Sequence, residues 1–117
     1  MSDARTPPCS EAGLSDPGPM TPERIARIAK ALGHPARIEI LDQFHACIPH
    51  VVGEIVDETP LAQSTVSEHL RILRDADVLF VREDGPRHWY CMRRSVIADF
   101  AAAVAALAED MELAEAG

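Results

Sequence analysis

The chain has 117 residues, a formal net charge of −8 and three cysteines. This length fits a single domain with a modest core. No apolar run approaches the roughly 20 residues of a membrane helix, and the first residues lack the basic-then-apolar order of a secretion signal. We therefore expect a cytoplasmic protein whose three thiols are reduced rather than joined in a disulfide framework.

Residues 1–20 are rich in Pro, Gly, Ser and Asp. A segment of this composition buries too little apolar surface to offset the entropy of ordering it. We therefore predict a mobile tail over residues 1–20 and a folded domain over residues 21–117. Domains of this size often gain stability by dimerising.

Capping and breaking residues divide the first half of the domain into short elements. Thr21, followed by Pro and Glu, is typical of a helix start, and Gly33 is typical of a helix end. Pro35 begins a second helix. Residues 46–52, ACIPHVV, contain a proline that prevents this helix from continuing, and we predict a short extended segment there. A short helix follows over residues 53–58, before Thr-Pro.

The second half combines one regular helix with a hairpin and a last helix. Residues 61–76 carry apolar side chains at i, i+4 and i+7, which is typical of a half-buried helix. Residues 78–83 and 88–92 are predicted strands, joined by Asp-Gly-Pro-Arg at 84–87. A last helix with an apolar stripe and many alanines is predicted over 96–114. The predicted order is ααβααββα.

Two short helices joined by a tight turn and followed by a β-hairpin predict a winged helix-turn-helix, mostly α with a small β wing. The second helix of this motif enters the major groove of DNA and offers its first residues to the base edges. Gln suits adenine, small hydroxyl residues approach bases and phosphates closely, and arginines suit phosphates. The candidate DNA-contacting residues are Gln63, Ser64, Thr65, Ser67, Arg71 and Arg74 on the helix and Arg82 and Arg87 on the wing.

The charge distribution agrees with this placement, although the total charge does not. Residues 62–94 carry six basic and five acidic side chains, whereas residues 1–61 have a net charge of −4 and residues 95–117 of −5. Because charges are screened over about 8 Å at physiological salt, the local balance matters more than the total.

Three stretches resemble the ArsR/SmtB family of repressors. They are ALGHPARIEIL at 31–41, LAQSTVSEHLRILRDA at 61–76, and the strand at 78–82 together with Gly85 and Tyr90. The resemblance implies a homodimer formed through the first and last helices. It also implies binding to operator DNA that is lost when an inducer binds, usually a metal or metalloid ion.

The resemblance spans roughly residues 21–113 and adds a histidine to the DNA-contacting set. The positions that it implies are Gln63, Ser64, Thr65, Ser67, His69 and Arg71. Two residues depart from the family pattern. Glu68 stands where many relatives carry a basic or neutral residue, and Asp77 replaces a common glycine. Asp tolerates a positive φ at some cost, so we expect the turn to persist.

The inducer site must be sought among the thiols, because two metal sites of the family are absent. Val51 and Gly53 occupy the positions of one Cys-x-Cys pair, and the last helix has acidic residues but no histidine. We expect Cys47, on the extended segment, to lie opposite the strand of Cys91, and Cys9 to join them from the tail of either subunit. Three thiolates without a Cys-x-x-Cys pair favour trivalent arsenic or antimony as inducer. No permanently bound cofactor is expected.

Several alternatives stay open for these residues. The cysteines can be small core residues, or Cys47 and Cys91 can form a thiol–disulfide switch. Cys/His coordination of zinc or nickel is a further option. Its additional candidate ligands are His45, His50 and His88.

Other classes of protein fit the sequence less well. We predict no enzyme, because the chain lacks a phosphate-cradling Gly loop, a zinc-hydrolase motif and a convincing nucleophile–base pair. The better rival is a winged-helix protein-interaction module that never binds DNA. Binding to random DNA at low salt distinguishes the two.

Overall fold

The computed structural model describes residues 9–44, 51–57 and 59–116. Its elements are α1 (Pro22–Leu32), α2 (Pro35–Asp42), α3 (Val52–Asp57), α4 (Gln63–Asp75), β1 (Leu79–Asp84), β2 (Arg87–Met92) and α5 (Arg94–Ala116). This order confirms the predicted mostly helical domain with a β-hairpin. The predicted extended segment falls largely on residues 46–50, which lie outside the described residues, and Val52 already belongs to α3.

A side chain caps the N-terminus of each of the first two helices, α1 and α2. The Thr21 hydroxyl accepts a hydrogen bond from the Arg24 amide at 3.2 Å, which satisfies one free N–H of α1. At the start of α2 the His34 imidazole takes the same role, because its Nδ1 accepts from the Ala36 amide at 3.1 Å. No side chain caps α4, which begins at Gln63, two residues later than predicted, after an extended Ala62.

The core lies between the helices and the base of the hairpin. The predicted stripe of α4, made of Val66, Leu70 and Leu73, is fully buried. It packs with side chains of the other elements, including Ile28, Ile40, Phe44, Ile55, Val78, Leu79 and Val96. Because the core holds α4 by one face, the opposite faces of this helix point outward.

The hairpin is antiparallel, with Leu79 opposite Met92 at its base and Asp84 opposite Arg87 at its tip. Gly85, the first of two loop residues, has φ of +62°, and a proline follows. A glycine at this place is typical of a type II′ turn, which suits the twist of the strands. Before β1, Asp77 has φ of +66°, as expected for the position that a glycine often holds.

The last helix leaves part of its apolar stripe uncovered. Val96 is buried and Phe100 packs against the core, but further along α5 the side chains of Val104 and Leu107 are 43% and 60% exposed. Within the described part of the chain, none of the helices is both long and apolar enough to cross a membrane.

Residues 9–16, here called the N-terminal strap, lie against the hairpin and the start of α5. Cys9 is joined to Cys91 of β2 by a disulfide. The Arg82 guanidinium donates to the backbone carbonyls of Ser10 and Ala12 at 2.7 and 2.9 Å. The strap is therefore not separate from the domain, in contrast to the expected free tail. Composition did not reveal this because the contacts are covalent and polar rather than apolar.

Candidate nucleic-acid interface

The first turn of α4 presents polar side chains to solvent. Gln63, Ser64, Thr65 and Ser67 are all exposed, whereas the intervening Val66 is fully buried and anchors the helix. No acidic residue stands in this turn. These amide and hydroxyl groups are therefore free to form hydrogen bonds with a molecule outside the protein.

Further along α4, the two arginines differ in their partners. Arg71 is ion-paired with Glu68, with Nε 3.2 Å from Oε1, and with Asp75, with Nη1 3.0 Å from Oδ2. The hydrogen bond from Arg71 lowers the pKa of Glu68, and the same bond raises the pKa of Arg71. Arg74 is exposed and forms no ion pair with any residue that the structure describes. Arg74 is thus the uncompensated cation of this helix.

His69 lies on the inner side of α4. It is 8% exposed, and its Nδ1 accepts a hydrogen bond from Arg37 Nε at 3.1 Å, while its ring centre lies 4.8 Å from that of His34. Burial lowers the pKa of His69, and the charges of His34 and Arg37 lower it further. This position is at odds with the expected direct DNA contact, because the ring faces the protein. The spacing of three residues from Val66 was the signal that could have placed it.

Arg37 links three helices at this point. Besides the bond to His69 of α4, its Nη1 donates to the Ala31 carbonyl at 3.1 Å and to the Lys30 carbonyl at 3.4 Å, both in the last turn of α1. The guanidinium thereby satisfies free carbonyls at the end of one helix while it holds the side chain of another. His69 and Arg37 therefore join α4 to α1 and α2.

The two predicted wing arginines also differ. Arg82 lies 5.3 Å from the Phe80 ring centre and donates to the strap carbonyls. Arg87 lies at the hairpin tip, exposed, with its guanidinium 5.6 Å from the Trp89 ring centre. Only Arg87 is presented to solvent in the way that the sequence predicts. His88, a candidate metal ligand, is exposed beside Glu83.

The structure joins two of the three predicted thiol ligands to each other. The Cα atoms of Cys9 and Cys91 lie 5.2 Å apart across the disulfide, and Cys91 is fully buried. The expectation that all three thiols are reduced is thereby corrected, because the strap brings Cys9 to Cys91 of β2. Cys47, His45 and His50 lie outside the described residues, so the meeting of Cys47 with Cys91 stays a prediction. Among the residues placed, no three metal-ligating side chains come together.

Glu11 fixes the strap to the start of α5, a role that the sequence did not suggest. Its carboxylate accepts from the Ser95 amide at 3.1 Å and from the Ser95 hydroxyl, and it lies 3.5 Å from Arg93 Nε. Arg93 also donates to the Ser15 carbonyl. Burial raises the pKa of Glu11, but the bonds from Ser95 and the charge of Arg93 outweigh this effect, so the pKa is lowered. A carboxylate at a helix N-terminus is stabilised by the helix dipole.

A helix held by its apolar stripe, with a polar first turn outward, a short helix before it and an antiparallel hairpin after it, defines a winged helix-turn-helix. The family model of bacterial regulatory proteins of the arsR family matches residues 34–79. The chain is 37% identical to an uncharacterised HTH-type transcriptional regulator of Methanocaldococcus jannaschii over 68 residues, 58% of this chain and 76% of that protein. It belongs to the arsR family.

Further similarities concern a named repressor and solved structures. The chain is 30% identical to the arsenical resistance operon repressor of Staphylococcus xylosus over 61% of its own length and 67% of that protein. A homodimeric winged helix-turn-helix domain of Mycobacterium bovis, a possible ArsR-family regulator, superposes with a TM-score of 0.62 at 29% identity, covering 86% of this chain and 94% of that one. An ArsR-like regulator of Rhodococcus gives a TM-score of 0.74 at 16% identity over 80% and 88% of the two chains, which supports the fold alone.

Proposed function

We propose that this chain is a homodimeric transcriptional repressor that reads operator DNA with the first turn of α4. The observation that carries the proposal is the exposed polar turn, Gln63 to Ser67, on a helix that a buried stripe and the Arg37–His69 bond hold in place. Gln offers both a donor and an acceptor to adenine in the major groove, and hydroxyl groups suit bases and phosphates.

Dimerisation follows from the uncovered part of α5. Val104 and Leu107 are large apolar side chains in contact with solvent, and the alanines between them permit the close approach of a second helix. The Mycobacterium bovis domain of the same fold is described as homodimeric. Two copies would present two reading helices to an inverted repeat, with half-sites separated by about 34 Å or a multiple of it.

For the inducer, we propose trivalent arsenic or antimony bound by reduced Cys47 and Cys91, with Cys9 as the third ligand. The short distance between Cys9 and Cys91 supports this assignment, since two thiols that can form a disulfide can also bind one soft ion. The Staphylococcus relative is named for arsenical resistance. A hundredfold loss of DNA affinity on induction requires about 2.7 kcal/mol of coupling between the two sites.

The dimer and the DNA-binding activity can be tested together. A duplex selected from a random pool by the wild-type protein serves as the operator. Leu107→Glu should give a monomer in sedimentation and lower the operator affinity at least a hundredfold, because one reading helix is lost. Ala102→Glu, on the opposite side of α5, is the matched control and should stay dimeric. A wild-type protein that is monomeric at micromolar concentration, or that selects no duplex, would contradict the proposal.

The inducer is tested by titrating the reduced protein–operator complex. Arsenite or antimonite should release the wild type, and Cys91→Ser or Cys47→Ser should abolish the response while DNA binding is retained. Cys9→Ser should weaken the response more mildly. Release by zinc alone, or unchanged release of a Cys47→Ser/Cys91→Ser variant, would overturn this ligand set.

A further inference from the structure

A cavity of about 280 Å³ lies between α1, the first turn of α2 and the last turn of α4. Its apolar part is formed by Ala31, Ile72 and Ala76, and four charged side chains, three basic and one acidic, complete the lining. Pockets for small molecules have this mixed character, with apolar walls and a few polar groups that orient the ligand. The cavity therefore fits a small molecule that is both charged and partly apolar.

Two of the three cations belong to α1. Arg27 and Lys30 are three residues apart, which places them on the same face of the helix, and both are exposed. Neither side chain forms a hydrogen bond or an ion pair with a residue that the structure describes. Like charges at this spacing repel each other, and an anion bound between them relieves that repulsion.

The third cation, Arg37, is held by the protein through only part of its guanidinium. Nε donates to His69, and Nη1 donates to the carbonyls of Ala31 and Lys30. Within the described part of the chain, no group accepts a hydrogen bond from Nη2. A guanidinium that is fixed in this way, with donors still available, suits a carboxylate or phosphate oxygen.

The balance of charges favours an anion with two negative charges. The acidic side chain of the lining, Asp75, already accepts from Arg71 Nη1 at 3.0 Å. Three cations and one carboxylate leave the cavity with two positive charges, which attract a dianion. A bare inorganic ion does not cover Ile72 and the two alanines, whereas a short carbon skeleton does.

We propose that this cavity binds a small organic dianion, a dicarboxylate or a phosphate monoester, through Arg27, Lys30 and Arg37. Its carbon skeleton lies on Ile72 and the two alanines. The site is separate from the reading turn, because Ile72 follows Gln63 by nine residues of α4, about 14 Å along the helix axis. Binding requires neither a metalloid nor DNA, so this inference goes beyond the proposed function and does not rest on it.

Calorimetric titration of the full-length protein with four compounds tests the ligand class. Succinate represents the dicarboxylates and propyl phosphate the phosphate monoesters, and the tighter of the two identifies the ligand class. Sulfate is a dianion without a carbon skeleton, and succinamide is the neutral counterpart of succinate. We expect one saturable site per subunit for an organic dianion, about tenfold weaker binding of sulfate because apolar surface stays uncovered, and no binding of succinamide. Equal binding of sulfate or succinamide, or no binding of either organic dianion, would overturn the proposal.

Substitutions of exposed side chains locate the site without disturbing the core. Lys30→Gln and Arg27→Gln should each weaken the binding of the organic dianion about fivefold, because each removes one ion pair. Arg74→Gln removes an exposed cation of α4 outside the cavity, and it is the matched control with unchanged affinity. Unchanged affinity in both α1 variants, or an equal loss in Arg74→Gln, would place the anion elsewhere and overturn the assignment.

A competition experiment separates this site from DNA binding. The duplex selected by the wild type is added to the protein that is saturated with succinate or propyl phosphate. Because the cavity lies at the other end of α4 from the reading turn, the organic dianion should stay bound. Its displacement by the duplex would assign the three cations to the DNA backbone and overturn the proposal. A protein that binds the dianion but selects no duplex would overturn the proposed function alone.

Discussion

The helix α4 and the β-hairpin carry the two sets of predicted DNA-contacting residues. The two sets differ in how far contacts within the protein already occupy their side chains. The polar first turn of α4, from Gln63 to Ser67, faces solvent, and none of the described residues of another element covers it. On the hairpin, Arg82 is bound by the strap, and only Arg87 at the tip is exposed. The polar turn of α4 is therefore exposed in the folded domain, whereas the Arg82 side chain of the hairpin is hydrogen-bonded to the strap.

One of the two arginines of α4 is compensated within the helix itself. On α4, Glu68 and Asp75 offset Arg71 while Arg74 remains uncompensated. Of the arginines of α4, Arg74 alone has no ion pair with a described residue, and the net charge of the chain is −8. Because phosphate contacts dominate affinity for any sequence, such a protein should depend more than usual on base contacts for tight binding.

The largest effect should come from removing the base-reading side chain. Gln63→Ala should cost about 1–3 kcal/mol on the selected duplex and nothing on random DNA, because a paired base contact discriminates by this amount. Fluorescence anisotropy on the two duplexes measures the difference. Equal loss on both duplexes, or no loss on either, would show that the first turn of α4 does not read sequence.

Removal of the charge of Arg74 should lower DNA affinity by a smaller amount, and equally for every DNA sequence. Arg74→Met should weaken binding to both duplexes alike and lower the salt slope by about 0.9 per subunit, since one phosphate contact is removed. Arg71→Met is the matched comparison and should change the slope less, because its charge is already paired. The reverse ranking would mean that the ion pairs of Arg71 open when DNA binds.

The features of α4 that the sequence predicts are those that repeat with the helical period. Val66, Leu70 and Leu73 recur at i, i+4 and i+7, and they fix which face is buried and which is free. The hairpin follows from a Gly at its tip, which supplies the positive φ that the turn requires. Local periodicity and local turn chemistry thus account for the fold and for the exposed reading turn.

The strap and the inward position of His69 have no such local signal. Cys9 and Cys91 are 82 residues apart, and the strap is held by polar contacts that its composition does not encode. A histidine beside a buried stripe can be buried when a hydrogen-bond donor reaches its ring. For His69 that donor is Arg37, which lies 32 residues earlier in the chain. Contacts between residues far apart in the sequence therefore determine the positions of the strap and of His69, which the local pattern does not predict.

A rise in DNA affinity is expected when one ion pair of Arg71 is removed. Glu68→Gln takes away one of its two carboxylate partners and a repulsive charge from the DNA-facing side of α4. Affinity for both duplexes should rise, with a slightly steeper salt dependence, as more of the Arg71 charge reaches phosphate. Glu54→Gln on α3 removes a negative charge at another exposed site and is the control. A loss of affinity specific to one base of the operator would instead indicate that Glu68 accepts a hydrogen bond from cytosine.

The smallest expected effect is a pH dependence of stability that comes from His69, on the buried side of α4. His69 has a lowered pKa because of its burial and then because of the positive charges of His34 and Arg37. In the unfolded chain the pKa is near the ordinary value of 6.5. Between the two values the unfolded chain binds a proton that the folded chain does not. The free energy of unfolding is therefore complete above pH 6.5 and decreases as the pH falls through 6.5 toward the folded pKa.

Urea denaturation at pH 7.5, 6.5 and 5.5 measures this contribution. His69→Gln keeps a side-chain acceptor for Arg37 but does not titrate, so its stability should fall less than that of the wild type as the pH falls. His88→Gln, which removes an exposed histidine of the wing, should follow the wild type. Protonation of His69 in the folded protein also removes the acceptor for Arg37 Nε. The operator affinity of the wild type should therefore decline as the pH falls to the lowered folded pKa of His69, below the pH at which stability begins to fall, and that of His69→Gln should not. Parallel pH profiles of all three proteins would show that α4 does not depend on this bond for its orientation.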